Sequence, residues 1–316
     1  MRAKLFIALA ALVAMSWAVP SEGTARFIVR AAPQRTPGAI TAALLPARLR
    51  VEKERGLLLA TWINGKGPYV FAVDTGAGMN LITRKIATES QLAIRNVRST
   101  KLGGLSGVTT TSNREAVIDE IGFGERSNSV RSPRTALVVP FLPSGVDGIL
   151  DPTDVYSPFG YSIDIPNRRI EPLLSSTTTV QRSQLTGEGA TVPWLQNGDL
   201  NRPFVRLGDG RLALVDTGSS FGLAVNGRGA VIVGPRGERQ QGEGNRDIAG
   251  GSITSRRVAP TTISIGELVL RHVPTDILFG VDDDAPVILG RDVLYPFKIS
   301  FDPQRRLIQF SASRKS

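Results

Sequence analysis

The chain has 316 residues, no cysteine, one histidine and a formal net charge of +10. Without cysteine there is no thiol nucleophile, disulfide or thiolate metal site, and a lone histidine cannot form a zinc-binding cluster. The length suffices for two domains with sizeable cores, and 33 glycines and 20 prolines favour short strands joined by turns.

The N-terminus has the pattern of a secretory signal peptide. Basic residues at positions 2 and 4 precede an apolar run over residues 5–15, which is followed by Ser16-Trp17-Ala18. This order predicts cleavage near Ala18, and the run is too short to favour a membrane span. We therefore expect residues 1–18 to be a signal peptide, and the mature chain to be a periplasmic or secreted bacterial protein without a membrane span. An uncleaved anchor is the alternative.

Residues 19–50 carry four prolines among arginine and alanine, at Pro20, Pro33, Pro37 and Pro46. Such a composition is typical of an extended linker, and a propeptide is the alternative. The positive charge of the chain is dispersed arginine rather than a basic run with interleaved aromatic residues. The sequence therefore does not indicate a nucleic-acid partner.

The first half of the remaining chain has strand-like segments at residues 57–63 and 69–73. The second of these runs directly into Asp74-Thr75-Gly76-Ala77. A helix is predicted over residues 82–92. A glycine pair, Gly103-Gly104, then an apolar segment over 146–150 and a turn around Pro166 follow.

A polar segment over residues 174–188 separates the first half from a second one. There an apolar run over 212–215 leads into Asp216-Thr217-Gly218-Ser219, and the pair Gly250-Gly251 follows. An apolar segment ending at Gly290 and a turn around Pro303 complete the series. We predict two domains, over residues 51–174 and 188–313, that arose by internal duplication.

A single Asp-Thr-Gly is a weak signal, because the same residues suit an ordinary turn. Two copies behind apolar strands, with three further landmarks in the same order, indicate more. The chain resembles the aspartic protease family, whose hallmarks are an apolar-Asp-Thr-Gly-Ala/Ser loop, a glycine-bearing flap and a later apolar-apolar-Gly strand. The flaps and the segment around Pro68 look more like the retropepsin branch than like pepsin.

The resemblance covers about residues 51–313 and implies an all-β, bilobal fold with two duplicated β-barrel-like lobes and the active site between them. It implies that the catalytic residues are Asp74 and Asp216. It further assigns an active-site loop and two substrate-binding flaps, made of Thr75, Gly76, Thr217, Gly218 and Ser219, and of Gly103, Gly104, Gly250 and Gly251.

Two positions differ from what the family pattern or the other half of the chain would predict. The first half has Asp151 where the family has glycine, which puts the geometry of that strand in question; a turn with Pro152 is the expected role. Ser219 follows the second motif where Ala77 follows the first. If its hydroxyl hydrogen-bonds the carboxylate, Asp216 is the more acidic partner.

The sequence thus predicts a monomeric aspartic endopeptidase that acts on polypeptide substrates without a metal or cofactor. In this chemistry two carboxyls share one proton and activate a water. The alternative is a non-catalytic peptide-binding protein of the same fold in the bacterial envelope.

Overall fold

The computed structural model describes residues 44–106, 108–173, 189–198, 200–227, 245–246, 251–281 and 285–313. Strands make up 57% and helices 6%, in large sheets, which confirms the prediction of an all-β fold. Ala42–Ser316 form one compact unit. The predicted signal peptide and the predicted domain boundary at 174–188 lie outside the described residues, so both stay predictions.

The strands in chain order are β1 (Ala47–Glu52), β2 (Gly56–Ile63), β3 (Lys66–Val73), β4 (Asn80–Thr83), β5 (Ala93–Gly103), β6 (Thr109–Ile118), β7 (Ile121–Phe123), β8 (Ser129–Val130), β9 (Arg134–Val139), β10 (Gly148–Leu150), β11 (Gly160–Asp164), β12 (Arg169–Leu173), β13 (Gly189–Pro193), β14 (Phe204–Arg206), β15 (Leu212–Val215), β16 (Leu223–Asn226), β17 (Asn245–Arg246), β18 (Ser252–Ile265), β19 (Leu268–Phe279), β20 (Val287–Leu289), β21 (Phe297–Asp302) and β22 (Leu307–Ala312). The helices are α1 (Arg84–Glu89), α2 (Pro152–Val155) and α3 (Arg291–Leu294).

The same strand arrangement occurs twice. In the first half the order is β2-β3-β10-β4-β9-β6-β5, and in the second half it is β14-β15-β20-β16-β19-β18-β17. β10 is parallel to β3 and antiparallel to β4, just as β20 is parallel to β15 and antiparallel to β16. Parallel neighbouring strands end at the same edge of a sheet. The loop that follows β3 therefore lies beside the end of β10, and the loop that follows β15 lies beside the end of β20.

Six further strands, three from each half of the chain, continue the larger sheet in the order β13-β22-β21-β11-β12-β1, and β7 and β8 extend it from β2. At its centre β11 and β21 pair antiparallel, with Tyr161 opposite Phe301. β1 begins at Ala47 and pairs with β12 and β2. The expectation that residues 19–50 are all linker is therefore wrong at its end, because residues 47–50 belong to this sheet.

The helices are short. The helix predicted over residues 82–92 extends only over Arg84–Glu89, because Asn80–Thr83 instead form β4, which pairs with β9 and β10. The hydroxyl of Thr83 accepts the N–H of Ile86 and caps α1. Among the described residues no helix is long and apolar enough to cross a membrane.

The largest apolar cluster lies across both halves and includes residues of the central strands β11, β21 and β22. Tyr161 and Phe301, both without exposed surface, stack there with ring centroids 4.7 Å apart. Two smaller clusters lie apart from it, one in each half, around Ile149 and around Ile288. Both clusters contain residues that line the cleft beside the two Asp-Thr-Gly loops.

Candidate active site

Each Asp-Thr-Gly directly follows the last residue of a strand, β3 or β15. A hydrogen bond to the parallel neighbouring strand, β10 or β20, fixes the motif there. The N–H of Asp74 donates to the carbonyl of Leu150 at 3.0 Å, and the N–H of Asp216 donates to the carbonyl of Leu289 at 2.9 Å. The hydrogen bond continues the ladder of each parallel pair by one residue. The two loops therefore leave their sheets in the same way.

The threonines of the two loops bind each other's loop. Thr75 Oγ1 donates to the carbonyl of Val215 at 2.6 Å and accepts the N–H of Thr217 at 3.0 Å. Thr217 Oγ1 donates to the carbonyl of Val73 at 3.0 Å and accepts the N–H of Thr75 at 3.1 Å. Both threonines have 0% exposure. Four buried hydrogen bonds thus hold the two loops in one fixed relation.

This brace brings the two carboxyls together, and they are hydrogen-bonded to each other. The N–H of Gly76 donates to Asp74 Oδ1 and the N–H of Gly218 donates to Asp216 Oδ1, each at 2.8 Å. A Cβ at Gly76 would lie 2.8 Å from Asp216 Cγ, and one at Gly218 would lie 2.5 Å from Asp74 Cγ. Both glycines are therefore required for the carboxyls to approach.

Burial raises the pKa of both carboxyls above the ordinary value of 3.8. For Asp74 the rise is opposed by hydrogen bonds, first that of Gly76, and by the positive charge of Arg291. For Asp216 the negative charge of Asp74 adds to burial and raises the pKa further. Two adjacent buried carboxyls cannot ionise together, so the pair holds one proton over the pH range between its two ionisations.

The expected role of Ser219 is wrong in its geometry. Its backbone N–H donates to Asp216 Oδ1 at 3.2 Å, whereas its hydroxyl accepts the N–H of Phe221 at 3.3 Å. The hydroxyl therefore does not acidify Asp216, and burial raises the pKa of this carboxyl.

Arg291 is a site residue that sequence reasoning missed. It is only 6% exposed, and its Nη1 donates to the carbonyls of Thr217 and Gly218 at 3.0 and 2.9 Å. Its Nη2 donates to the carbonyl of Lys53 at 2.7 Å. The guanidinium thus fixes the second loop from behind and joins it to the turn between β1 and β2. The sequence signal was a charged residue directly after the apolar segment that ends at Gly290.

Asp151 differs from its counterpart Gly290 in the way that the sequence indicated. Its side chain accepts the N–H of Thr153 at 2.9 Å and caps α2, while its N–H donates to Asn80 Oδ1 at 2.9 Å. In the second half the N–H of Gly290 donates instead to the carbonyl of Gly222 at 2.9 Å. A side-chain amide thus replaces a main-chain carbonyl, and Asp151 starts a helix with Pro152 rather than only a turn.

The predicted flap of the first half is a hairpin tip between β5 and β6. Gly103 ends β5, and Gly104 and Leu105 follow it beside the cleft. Leu105 packs against the cluster of the second half that includes Phe221. Gly251 lies so close to Ser106 that a Cβ there would clash. Gly250 lies outside the described residues.

The carboxyl pair lies in a cleft of about 540 Å³ between these hairpin segments and the loops. Apolar side chains make up most of its walls, among them Leu81, Ile149, Phe221 and Ile253. No group of three or more metal-ligating side chains is present among the described residues. The arrangement can hold an extended chain over two carboxyls that share one proton.

The comparisons with known proteins concern the first half of the chain. No curated protein matches the chain. The model of a family described as aspartyl protease matches residues 59–150, a range that includes Asp74 and the strands β3, β4 and β10. In this range the chain is similar to an aspartyl protease family, and the match supports a protease-type hydrolase.

Proposed function

We propose that this chain is an aspartic endopeptidase of the retropepsin-like type, with both catalytic loops in one chain. It hydrolyses peptide bonds of extended polypeptide segments with a water activated between Asp74 and Asp216. The observation that carries this proposal is the hydrogen-bonded carboxyl pair in the cleft, with a glycine of each loop packed against the opposite carboxyl.

In this mechanism Asp74 is the ionised partner and Asp216 carries the proton. Asp74 takes a proton from the water as the water oxygen attacks the scissile carbonyl carbon, and Asp216 donates its proton to the carbonyl oxygen. The resulting gem-diol collapses when the proton held by Asp74 passes to the amide nitrogen and the C–N bond breaks. One gem-diol hydroxyl returns a proton to Asp216, so that the pair again holds one proton.

The substrate binds as an extended strand of about four to eight residues beside the hairpin tip that follows β5. Gly103 and Gly104 offer backbone groups on one side, and the apolar side chains of the cleft take the substrate's side chains. Closing of this tip excludes water other than the attacking one. Neither a metal nor a cofactor takes part.

The test is the incubation of the purified mature chain with a diverse peptide mixture from about pH 3 to about pH 8, with cleavage sites identified by mass spectrometry. We expect cleavage by the wild type and a loss of roughly 10³-fold or more in Asp74→Asn and in Asp216→Asn. Asp119→Asn, a change at an exposed aspartate, is the matched control. Activity that survives both dyad substitutions would contradict the proposal.

The same experiment distinguishes the non-catalytic alternative. A peptide-binding protein would cleave nothing at any pH, and it would bind a statine-containing peptide no more tightly than an ordinary one. A protease binds the tetrahedral mimic more tightly, because its site fits the transition state.

The proposal includes location. Residues 1–18 have the pattern of a signal peptide, so we propose that the mature enzyme acts as a monomer in the periplasm or outside the cell. N-terminal sequencing of the exported protein would test the cleavage site near Ala18, and it would show whether residues 19–50 are removed as a propeptide.

A further inference from the structure

Arg202 is a half-buried arginine in the wall of the cleft. The aliphatic part of its side chain lies against the loop that follows Asp74, where a Cβ at Gly78 would be 3.3 Å from Arg202 Cγ. Its guanidinium carbon is 5.8 Å from the ring centroid of Phe204. Its Nε is buried without a hydrogen-bond partner, and no ion pair among the described residues involves it.

The other charged side chains that line the cleft either have a charged or carboxyl partner or are exposed to solvent. Asp74 and Asp216 bind each other, and Arg55 forms an ion pair with Glu52. Glu54 is exposed to solvent. Among the described residues that line the cleft, Arg202 is therefore the one charged side chain with a buried polar atom that has no hydrogen-bond partner.

The position equivalent to Arg202 in the first half carries no side chain. Phe204 pairs with Leu214 in β14 and β15, and Leu58 pairs with Ala72 in β2 and β3. Two residues before Phe204 is Arg202, and two before Leu58 is Gly56. A Cβ at Gly56 would lie 3.0 Å from Arg291 Nη1, so the Arg291 guanidinium leaves no room for a side chain at this place. By the same register Leu200 corresponds to Glu54.

We propose that Arg202 is a specificity-determining residue that selects substrates with Asp or Glu within about three residues of the scissile bond, on one side of it only. This inference rests on the proposed function, because it names the substrate class of the same cleft. The one-sidedness follows from the difference between the two ends: Arg202 has no ion-pair partner at one, whereas the other has Gly56 at the equivalent position and an arginine, Arg55, that is already paired with Glu52.

The physical reason is desolvation. A guanidinium whose Nε has lost its water without gaining a hydrogen-bond partner is unfavourable. A substrate carboxylate can accept two parallel N–H bonds from it, and a charge-assisted pair of this geometry is stronger and more selective than a neutral hydrogen bond. A glutamine of the same shape supplies only a neutral acceptor, and a lysine is repelled.

The test uses one well-cleaved host peptide from the mixture described above. Glu, Gln or Lys is placed in turn at each of three positions on either side of the scissile bond, and kcat/KM is measured for the wild type, Arg202→Gln and Arg202→Glu. Arg206→Gln is the matched control, since Arg206 is exposed on β14, the strand that begins two residues after Arg202. The backbone carbonyl of Arg202, which accepts from the Trp194 indole, is retained in each variant.

We expect one position at which the wild type prefers Glu over Gln by about 10- to 100-fold. This preference disappears in Arg202→Gln, which cleaves the Gln peptide as the wild type does, and it changes to Lys in Arg202→Glu. Arg206→Gln keeps it. Equal rates for Glu, Gln and Lys at all positions, or an unchanged preference in Arg202→Gln, would overturn the inference.

A binding measurement keeps the inference independent of catalysis. The Glu and Gln peptides are also made with statine at the scissile position and titrated calorimetrically against the wild type and Arg202→Gln. Tighter binding of the Glu form by the wild type alone supports the inference, even if no peptide is cleaved, in which case the hydrolysis itself is refuted. Equal affinities for the two forms refute the inference.

Discussion

Asp74 and Asp216 are the same residue in two surroundings that make them different acids. Burial raises the pKa of both, and the charge of Asp74 raises that of Asp216 further. At a pH between the two ionisations the pair holds one proton, and in the proposed mechanism Asp74 is the base and Asp216 is the proton donor. One of each is what the attack of water on a carbonyl requires.

The pH dependence of kcat/KM follows from these shifts. We expect activity to rise as the pair loses its first proton above the ordinary value of 3.8, and to fall when it loses its second proton at a higher pH still. Ser219→Ala should leave both limbs in place, because its hydroxyl accepts from Phe221 and does not contact the carboxyl. A pH–rate profile of both forms tests this. Activity confined to strongly acid conditions, or a limb moved by the Ser219 change, would contradict it.

Asp151 gives a pH dependence of stability instead. Burial is the main cause that raises its pKa from 3.8 to about 7, and the charges of Asp154 and Asp74 add to it. The folded chain therefore binds a proton that the unfolded chain releases near pH 4. The stability linked to this proton is present at low pH and is lost as the pH rises through about 7.

Asp151→Asn keeps a capping oxygen but cannot ionise. Relative to the wild type, we expect its free energy of unfolding to increase by about 2–3 kcal/mol between pH 5 and pH 8. Urea unfolding at both pH values measures this, with Asp119→Asn as the exposed control. If the difference in the free energy of unfolding between wild type and variant were the same at both pH values, the folded chain would not bind an additional proton at Asp151.

At the scale of elements, the two strand–loop units depend on each other through their threonines. Thr75→Val removes the hydroxyl that serves Val215 and Thr217, and it leaves a buried carbonyl and a buried N–H unpaired. We expect a loss of about 2–4 kcal/mol in the free energy of unfolding, together with lower kcat. Thr75→Ser, which keeps the hydroxyl, should retain most of both. A valine variant as stable as the wild type would show that the brace contributes nothing.

Arg291 connects the second loop to the turn between β1 and β2 by three hydrogen bonds to carbonyls. Arg291→Met should cost about 2–5 kcal/mol of stability, because it leaves buried carbonyls unpaired. It should also move the acidic limb of the pH–rate profile upwards, because the positive charge that lowers the pKa of Asp74 is gone. Arg291→Lys keeps the positive charge but lacks the planar set of N–H donors of the guanidinium. Compared with Arg291→Met, it should therefore restore the position of the acidic limb more fully than the free energy of unfolding. An acidic limb that does not move in Arg291→Met would rule out this electrostatic role.

The strands before both motifs were predictable because apolar alternation and turn residues are local signals. The helix of residues 82–92 was predicted too long, and the linker of residues 19–50 was predicted to extend too far. In both cases the deciding partner is distant in sequence: β9 and β10 for β4, and β12 for β1. Arg291 was missed for the same reason, since the carbonyls it binds come from two separate segments.

On the scale of the whole molecule, the central strands make the two halves one structure. β11 and β21 belong to different halves and pair along residues 161–164 and 298–301, and the largest apolar cluster contains residues of both halves. The sequence indicated two lobes from its repeat, but it contained no local signal for the sheet that joins them. Strand pairing between distant segments is not visible in periodicity.

This joint sheet predicts one cooperative unfolding transition. Phe301 has no exposed surface and stacks on Tyr161, so Phe301→Ala should cost about 3–5 kcal/mol and lower a single thermal midpoint. Differential scanning calorimetry of both forms, with equality of the calorimetric and van't Hoff enthalpies as the criterion, is the measurement. Two resolved transitions, only one of them shifted, would show that the halves unfold separately.

The repeated strand order also has a consequence for how the cleft can diversify. A site built from two identical subunits must carry every substitution twice, so its two ends remain copies of each other. Here one sequence encodes each end once, and the copies already differ: Arg202 against Gly56, Asp151 against Gly290, Asn80 against Gly222. The carboxyl pair and its threonines stay symmetric while their surroundings do not. Such a chain can distinguish the two directions in which a polypeptide enters it.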